Sequence, residues 1–136
     1  MHKADFVNYR ALVQEVRQLR AQLLDLEASI YGPRGQVYSL TPKGTGKGGG
    51  VLDVIAHHIE LVKHYHESLA AKEAQQLTIE RAIDSLEDPA ERMVMRYRYI
   101  DGREWKFIIA ELAALGYSER DVYRRHGYAL LKLKEV

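Results

Sequence analysis

The stretch Trp105–His126, WKFIIAELAALGYSERDVYRRH, holds the features that decide the fold of this chain. Its first part has apolar residues at helical spacing, which predicts a helix from Trp105 to about Leu115. Gly116 can end that helix with a positive φ angle, and Ser118 can cap a following helix. Two helices joined by a tight glycine turn are typical of a helix-turn-helix, the DNA-binding arrangement in which the second helix enters the major groove.

The second of these helices has an apolar face and a basic face. At about 100° per residue, the apolar face gathers Val122, His126, Ala129, Leu130 and Leu133. The opposite side carries Arg120, Arg124, Gly127 and Leu131, flanked by Tyr123 and Tyr128, with Arg125 on a shoulder. Residues 117–134 contain five basic and two acidic residues, a net charge of +3 in a chain whose formal charge is +1. The basic side therefore forms a local patch.

This patch predicts contact with phosphates and base edges. We expect Arg120 and Arg124 to enter the major groove. The helix N-terminus at Ser118 should bind phosphate, as should Arg103, Lys106 and Arg125. Gly127 costs about 1 kcal/mol relative to alanine within a helix, and on the outer side it would let a bulky partner approach closely. The candidate DNA-binding residues are Arg103, Lys106, Ser118, Glu119, Arg120, Tyr123, Arg124, Arg125, Gly127 and Tyr128. The alternative is a solvated basic face.

A third short helix precedes this pair. Asp88 can act as its cap with Pro89 at the first helical position. The helix should extend to about Tyr99 and stop at Ile100–Gly102. Residues 87–136 are therefore predicted to form a DNA-binding domain of three short helices.

The N-terminal part predicts two long helices. The first runs from about Ala4 to Tyr31, and its apolar residues alternate at spacings of three and four: Tyr9, Leu12, Val16, Leu19, Leu23, Leu26 and Ile30. The second starts near Val51 with a similar seam: Leu52, Ile55, Ile59, Val62, His66 and Leu69. Its register slips at 72–76 and resumes at Ile79, Ile83 and Leu86. We expect an antiparallel, coiled-coil-like pair with His66 packed in its core, and we expect the chain to form a homodimer or a higher homo-oligomer.

The segment 32–50 between the long helices contains seven of the ten glycines and two of the three prolines. It predicts a flexible linker within a helical oligomerisation region, residues 1–86. A Walker A phosphate loop is excluded by spacing, because Thr41 stands where the first glycine is needed and Gly48 where a hydroxyl is needed.

Other chemistry has little support in the sequence. A stripe on the second helix combines carboxylates and imidazoles, a mixture that can bind metal: Asp53, His57, Glu60, His64 and Glu67. The first helix has no matching set, so a solvated face is the preferred interpretation. We expect no metal, no cofactor and no enzymatic activity. The chain has no cysteine, no signal-peptide pattern and no long apolar run, which favours a cytoplasmic protein without membrane contact.

The C-terminal domain resembles region 4 of bacterial sigma factors, and more closely the small phage transcriptional regulators of the RinA/ArpU kind. The matching segments are LEDPAERMVMRYRYIDG (86–102), Trp105, IAEL (109–112) and GYSERDVYRRHGYALLKL (116–133). The resemblance implies an all-α fold, with a long antiparallel helical pair followed by a sigma region 4-like helix-turn-helix domain. The residues that stand where the family contacts DNA are Ser118, Glu119, Arg120, Tyr123 and Arg124. Between Trp105 and Gly116 this chain has about two or three residues more than the family pattern, nearly one helical turn.

The function implied is that of a sequence-specific DNA-binding regulator of late or packaging genes in a phage or prophage, acting on double-stranded DNA in the bacterial cytoplasm. Host RNA polymerase is a further implied partner. Two alternatives share the predicted layout. A terminase small subunit also joins a helix-turn-helix to a helical oligomerisation unit, and a polymerase-binding adaptor would use the same domain to dock onto protein.

Overall fold

The computed structural model describes residues 1–31 and 50–135. These ranges contain only helices, turns and irregular segments, which confirms the all-α class for the described part of the chain. The helices are α1 (Lys3–Val7), α2 (Tyr9–Tyr31), α3 (Gly50–Asp84), α4 (Pro89–Met95), a π-helical segment (Arg96–Ile100), α5 (Trp105–Ala113) and α6 (Glu119–Leu133). The predicted linker, including the segment tested as a phosphate loop, lies outside the described residues except for Gly50, which begins α3.

The chain forms two compact units. The first, here called the terminal unit, contains Met1–Val13 and the chain from Ala74 onward; the second, the hairpin unit, is Gln14–Glu73. The sequence analysis divides the chain at residue 86 instead. The start of α2 and the end of α3 pack with the C-terminal helices because Tyr9, Leu12 and Ile83 share one buried cluster with them.

The apolar stripe of α2 is placed as the sequence predicts. Two residues of the stripe, Leu19 and Leu26, are half-buried. The others are buried: Tyr9, Leu12, Val16, Leu23 and Ile30. The single long helix expected over 4–31 is interrupted at Asn8, between α1 and α2. Asparagine is a weak helix former, since its side chain competes for backbone hydrogen bonds.

The register predicted for α3 is confirmed only in part. Ile55, Val62 and Leu69 are half-buried and Ile79, Ile83 and Leu86 are buried, as expected, but three predicted core positions are not covered. Leu52 is 72% exposed and Ile59 is 47% exposed, and His66, expected in the core, is exposed as well. One row of covered positions on α3 alternates by three and four without a slip: Ile55, His58, Val62, Tyr65, Leu69, Lys72, Gln76, Ile79 and Ile83. The seam passes through polar residues because long side chains such as lysine cover apolar surface with their stems while their charged ends reach solvent.

Three ion pairs join α2 to α3 within the hairpin unit. Lys72 Nζ lies 2.5 Å from Glu15 Oε2, Arg20 Nη2 lies 2.7 Å from Glu73 Oε1, and His66 Nε2 lies 2.9 Å from Glu27 Oε1. Early positions of α2 pair with late positions of α3, so the two helices run in opposite directions in this unit.

The terminal unit has two apolar clusters that hold α6 in place. One buries Val94, Ile108, Leu112 and Val122 and so joins α4, α5 and α6. The other places Ala129 and Leu133 of α6 among side chains from α1, α2, α3, α4 and the π-helical segment. The predicted start of α4 is confirmed, since Asp88 accepts a hydrogen bond from the Ala90 N–H at 3.0 Å and Pro89 is the first helical residue.

No helix in the described ranges combines the length and the apolar content that crossing a lipid bilayer requires.

Candidate functional site

The turn between α5 and α6 forms as its local sequence predicts. Gly116 has a φ of 93°, a conformation that an L side chain rarely adopts. The Gly116 N–H donates to the Ala113 carbonyl and the Tyr117 N–H to the Leu112 carbonyl, each at 3.0 Å. These are the two bonds of a Schellman helix ending, and Tyr117 packs against the cluster that contains Leu112. The turn therefore fixes where α6 begins.

Ser118 caps α6, but its surroundings differ from a simple phosphate site. Its hydroxyl accepts a hydrogen bond from the Asp121 N–H, and its own N–H donates to the Asp121 carboxylate, both at 3.1 Å. These hydrogen bonds hold the pKa of Asp121 below its usual value. The N–H groups of Ser118 and Asp121, which the sequence predicts to face a phosphate, therefore donate to side chains of the protein itself. The ionised carboxylate of Asp121 lies beside them.

The inner face of α6 is confirmed. Val122, Ala129 and Leu133 are buried, while His126 and Leu130 are half-buried. The Tyr99 hydroxyl and His126 Nε2 share a hydrogen bond of 2.7 Å, and the Trp105 ring meets the His126 ring edge-on at 4.8 Å. Burial first, and then the nearby charges of Lys3 and Arg98, lower the pKa of His126 to about 4. His126 is thus a neutral packing residue at neutral pH.

The outer face of α6 changes character along its length. Arg120, Tyr123 and Arg124 are exposed in the first half, whereas Tyr128 and Leu131 are exposed in the second half. Arg120 makes no ion pair with a carboxylate among the described residues, and Arg124 lies 4.0 Å from Asp121, at the limit of an ion pair. The exposed residue Glu119 adds a carboxylate to the first turn. The cationic part of this face is therefore confined to the first two turns.

Gly127 lies between the two halves. A Cβ atom built at this position would meet no heavy atom within 4 Å. The fold therefore does not require glycine here for lack of space, and the helix would gain stability from alanine. The open surface expected at this position is present in the described structure.

Arg125 has a different environment from the one that the sequence predicts. The sequence predicts that it contacts a DNA phosphate. In the structure its guanidinium donates to the Asp88 carboxylate and lies 5.8 Å from the centre of the Tyr117 ring. This ion pair ties α6 to the cap of α4. Sequence periodicity could not show it, because the two partners are 37 positions apart.

Around the start of α5, three cations lack a carboxylate partner among the described residues. Arg103 and Lys106 are exposed, as expected, and the Arg103 guanidinium lies 4.5 Å from the centre of the Phe107 ring. The third is Arg98, whose guanidinium lies 4.9 Å from the centre of the Trp105 ring. Arg98 was missed because the π-helical segment breaks the helical periodicity on which the sequence analysis depends.

These side chains and the first half of α6 form one connected surface, here called the basic–aromatic face. Trp105 links its two parts, since its ring contacts Arg98 and also lies 5.1 Å from the Tyr123 ring. The face comprises Arg98, Arg103, Trp105, Lys106, Arg120, Tyr123 and Arg124. Three other cations of the terminal unit are paired with carboxylates: Arg96 with Asp84, Arg125 with Asp88 and Lys132 with Glu91. The face itself holds five cations, of which only Arg124 lies within ion-pair distance of a carboxylate among the described residues.

The histidines of α3 do not assemble with carboxylates into a metal-binding group. Among residues 1–31 and 50–135, no three histidine or carboxylate side chains come together in a geometry that could hold a metal ion. Comparison of the chain with protein-family models, with curated proteins and with solved structures gives no match.

Proposed function

We propose that this protein is a sequence-specific DNA-binding transcriptional regulator, with α5 and α6 acting as a helix-turn-helix and α6 entering the major groove. The observation that carries the proposal is the division of charges on α6. Arg125 and Lys132 are bound by Asp88 and Glu91, whereas Arg120 and Arg124 remain exposed on the outer face. Exposed arginines that no other element of the fold binds through a carboxylate are available to a polyanion.

The spacing of the two arginines suits the major groove. Four residues of α-helix rise about 6 Å, so Arg120 and Arg124 project from one side at neighbouring levels. An arginine can donate to guanine O6 and N7 together, a contact that contributes about 1–3 kcal/mol of base discrimination. Tyr123, between them and exposed, can meet an apolar base edge or the sugar.

Arg103 and Lys106 would bind the DNA backbone next to the groove. Both are exposed at or just before the first turn of α5, where a cation adds affinity for phosphate without reading sequence. Arg125 is left out of this set because its guanidinium is held by Asp88. Ser118 acts as the cap that fixes the start of α6, with less room for a phosphate than its sequence position indicates.

The hairpin unit would bring two DNA-binding domains together. The α2 seam is covered within the chain, and the exposed large apolar residues in the described part of this unit are Leu24, Leu52 and Ile59. We propose that a second copy covers them and that the protein is a dimer or a higher oligomer. Light scattering after gel filtration tests this: Leu52→Asp should lower the mass without unfolding the protein, and a monomeric parent at tens of micromolar would refute self-association.

The resemblance to RinA/ArpU regulators suggests phage or prophage late and packaging genes as the targets. The direct test is to select duplexes from a random library with the parent and with Arg124→Ala. The parent should enrich a defined site, and Arg124→Ala should lose the preference at one position of that site while still retaining nonspecific affinity. A parent that enriches no sequence, despite an intact helical spectrum, would exclude this function.

A protein-binding adaptor is the second candidate, and the C-terminal half of α6 favours it. Tyr128 and Leu131 are exposed there, Leu131 by 62%. Exposed apolar side chains of this size are common in protein interfaces. If RNA polymerase or another protein binds α6 at this end, Leu131→Gln should weaken that complex and leave DNA binding unchanged.

A further inference from the structure

Arg98 lies outside α6 and outside the set of residues that the sequence singles out. It belongs to the π-helical segment Arg96–Ile100, where the backbone departs from α-helical geometry. Such segments often occur at functional sites. The guanidinium of Arg98 lies over the Trp105 ring, 4.9 Å from its centre.

The ring beneath Arg98 is itself held in place. Trp105 packs against the buried cluster of α4, α5 and α6 and contacts Tyr123 and His126 of α6 at 5.1 and 4.8 Å. A guanidinium stacked on an aromatic face uses its flat side for that contact and keeps its N–H groups at the edge. Arg98 is therefore positioned before any partner binds.

Most of the donors of Arg98 stay available. In the described part of the chain it donates one hydrogen bond, to the Arg103 carbonyl at 3.2 Å, and pairs with no carboxylate. Arg96, two residues earlier, contrasts with it, because its guanidinium donates to the Asp84 carboxylate. Arg96 is thus paired with a carboxylate, whereas Arg98 has no carboxylate partner among the described residues.

We propose that Arg98, held on Trp105, is a further DNA-contacting residue that binds a backbone phosphate beside the groove occupied by α6. This inference rests on the proposed function. Through Trp105 and Tyr123 the guanidinium belongs to the same surface as Arg120 and Arg124. A planar arginine fork donates two parallel hydrogen bonds to a phosphate. Because the stack already orients the fork, little side-chain freedom is lost when the phosphate binds.

The test compares Arg98→Ala with Arg96→Ala, two variants that lose the same charge two residues apart. Fluorescence anisotropy on the selected site and on a scrambled duplex, at several salt concentrations, gives the affinity and its salt slope. Arg98→Ala should weaken binding to both duplexes by the same factor and reduce the slope by about 0.9, the share of one phosphate contact. Arg96→Ala should leave both quantities at the parent values.

Arg98→Gln guards against a purely structural effect, since it keeps a long polar side chain with N–H donors but has no charge. The salt slope of its DNA binding should fall as much as that of Arg98→Ala, while its thermal unfolding midpoint should equal that of the parent. If the salt slope of binding is the same for Arg98→Ala, Arg98→Gln and Arg96→Ala, Arg98 does not contact a phosphate. That result would overturn this inference even if Arg124→Ala loses its sequence preference in the same titrations. A parent that does not bind DNA would overturn the proposed function and this inference together.

Discussion

The α2–α3 pair of the hairpin unit and the basic–aromatic face of the terminal unit use exposed charge in different ways. In the pair, Arg20, His66 and Lys72 each meet a carboxylate of the facing helix. On the basic–aromatic face, Arg98, Arg103, Lys106 and Arg120 meet no carboxylate in the described ranges, and two of them lie on aromatic rings. Both regions are rich in charged side chains, so composition alone does not separate them.

The difference shows which exposed charges carry information about function. A solvent-exposed ion pair contributes little stability and needs no partner outside the chain. An arginine held over an aromatic ring without a counter-ion keeps both its charge and its donors for another molecule. The absence of a counter-ion, taken together with contact to an aromatic ring, is therefore a better guide to a binding surface than the number of cations on a helix.

The largest effect should come from the ion pair that, within residues 1–31 and 50–135, is alone in having a buried member. Glu91 is buried, and Lys132 Nζ lies 2.9 Å from each of its carboxylate oxygens. Lys132→Met leaves that carboxylate without its partner, which should lower the free energy of unfolding by about 3 kcal/mol. Arg20→Ala, which breaks an exposed pair of the hairpin unit, should cost less than about 1 kcal/mol. Urea unfolding followed by circular dichroism measures both, and equal losses would show that burial does not separate the two pairs.

A smaller effect should appear in the pH dependence of stability. Burial lowers the pKa of His126 to about 4, from 6.5 in the unfolded chain. The unfolded state therefore binds a proton first, and stability should fall as the pH drops from about 6.5 towards 4. Allowing for the partial exposure of the ring, the loss is about 2 kcal/mol.

His126→Gln keeps a side chain that can hydrogen-bond the Tyr99 hydroxyl and should flatten that part of the pH profile. His57→Gln is the matched control, because His57 is exposed on α3. Thermal midpoints at pH 7.5, 6 and 5 provide the comparison. If the parent and His126→Gln lose stability in parallel, the histidine is protonated in the folded protein and its assigned environment is wrong.

A change in stability smaller than that of His126 should come from Gly127. Since a Cβ atom has open space there, Gly127→Ala should raise the free energy of unfolding by about 1 kcal/mol. Its DNA affinity should nevertheless fall, because the added methyl group occupies a surface that the partner approaches. Gly116→Ala is the contrasting variant, since the φ of 93° at Gly116 makes it destabilising. A Gly127→Ala protein that gains stability and binds DNA as the parent does would remove Gly127 from the contact surface.

The parts of the fold that the sequence predicts well are set by local signals. The cap at Ser118, the positive φ at Gly116 and the buried face of α6 each depend on residues a few positions apart. Such signals act within one or two helical turns, so they can be recognised without knowing what packs nearby.

The parts that were missed depend on tertiary contacts. The α3 seam includes Lys72 and Gln76, so a search for apolar residues alone reports a slip where the structure has a continuous register. The partner of Arg125 is Asp88, far along the chain, and the helical wheel, which places Arg125 beside the outer face, gives no sign of that pair. The contact between the Arg98 guanidinium and the Trp105 ring likewise depends on where the fold places Trp105, which the sequence alone does not show.

The most direct test of the account compares two double variants that each lose two positive charges. Arg120→Ala/Arg124→Ala removes cations of the basic–aromatic face, and Arg20→Ala/Arg96→Ala removes cations bound by Glu73 and Asp84. Anisotropy titrations on the selected and the scrambled duplex over a range of salt concentrations measure both. The first variant should lose its preference for the selected duplex and the second should keep the parent's preference and salt slope; equal behaviour of the two would contradict the assignment of α6 as the DNA-contacting helix.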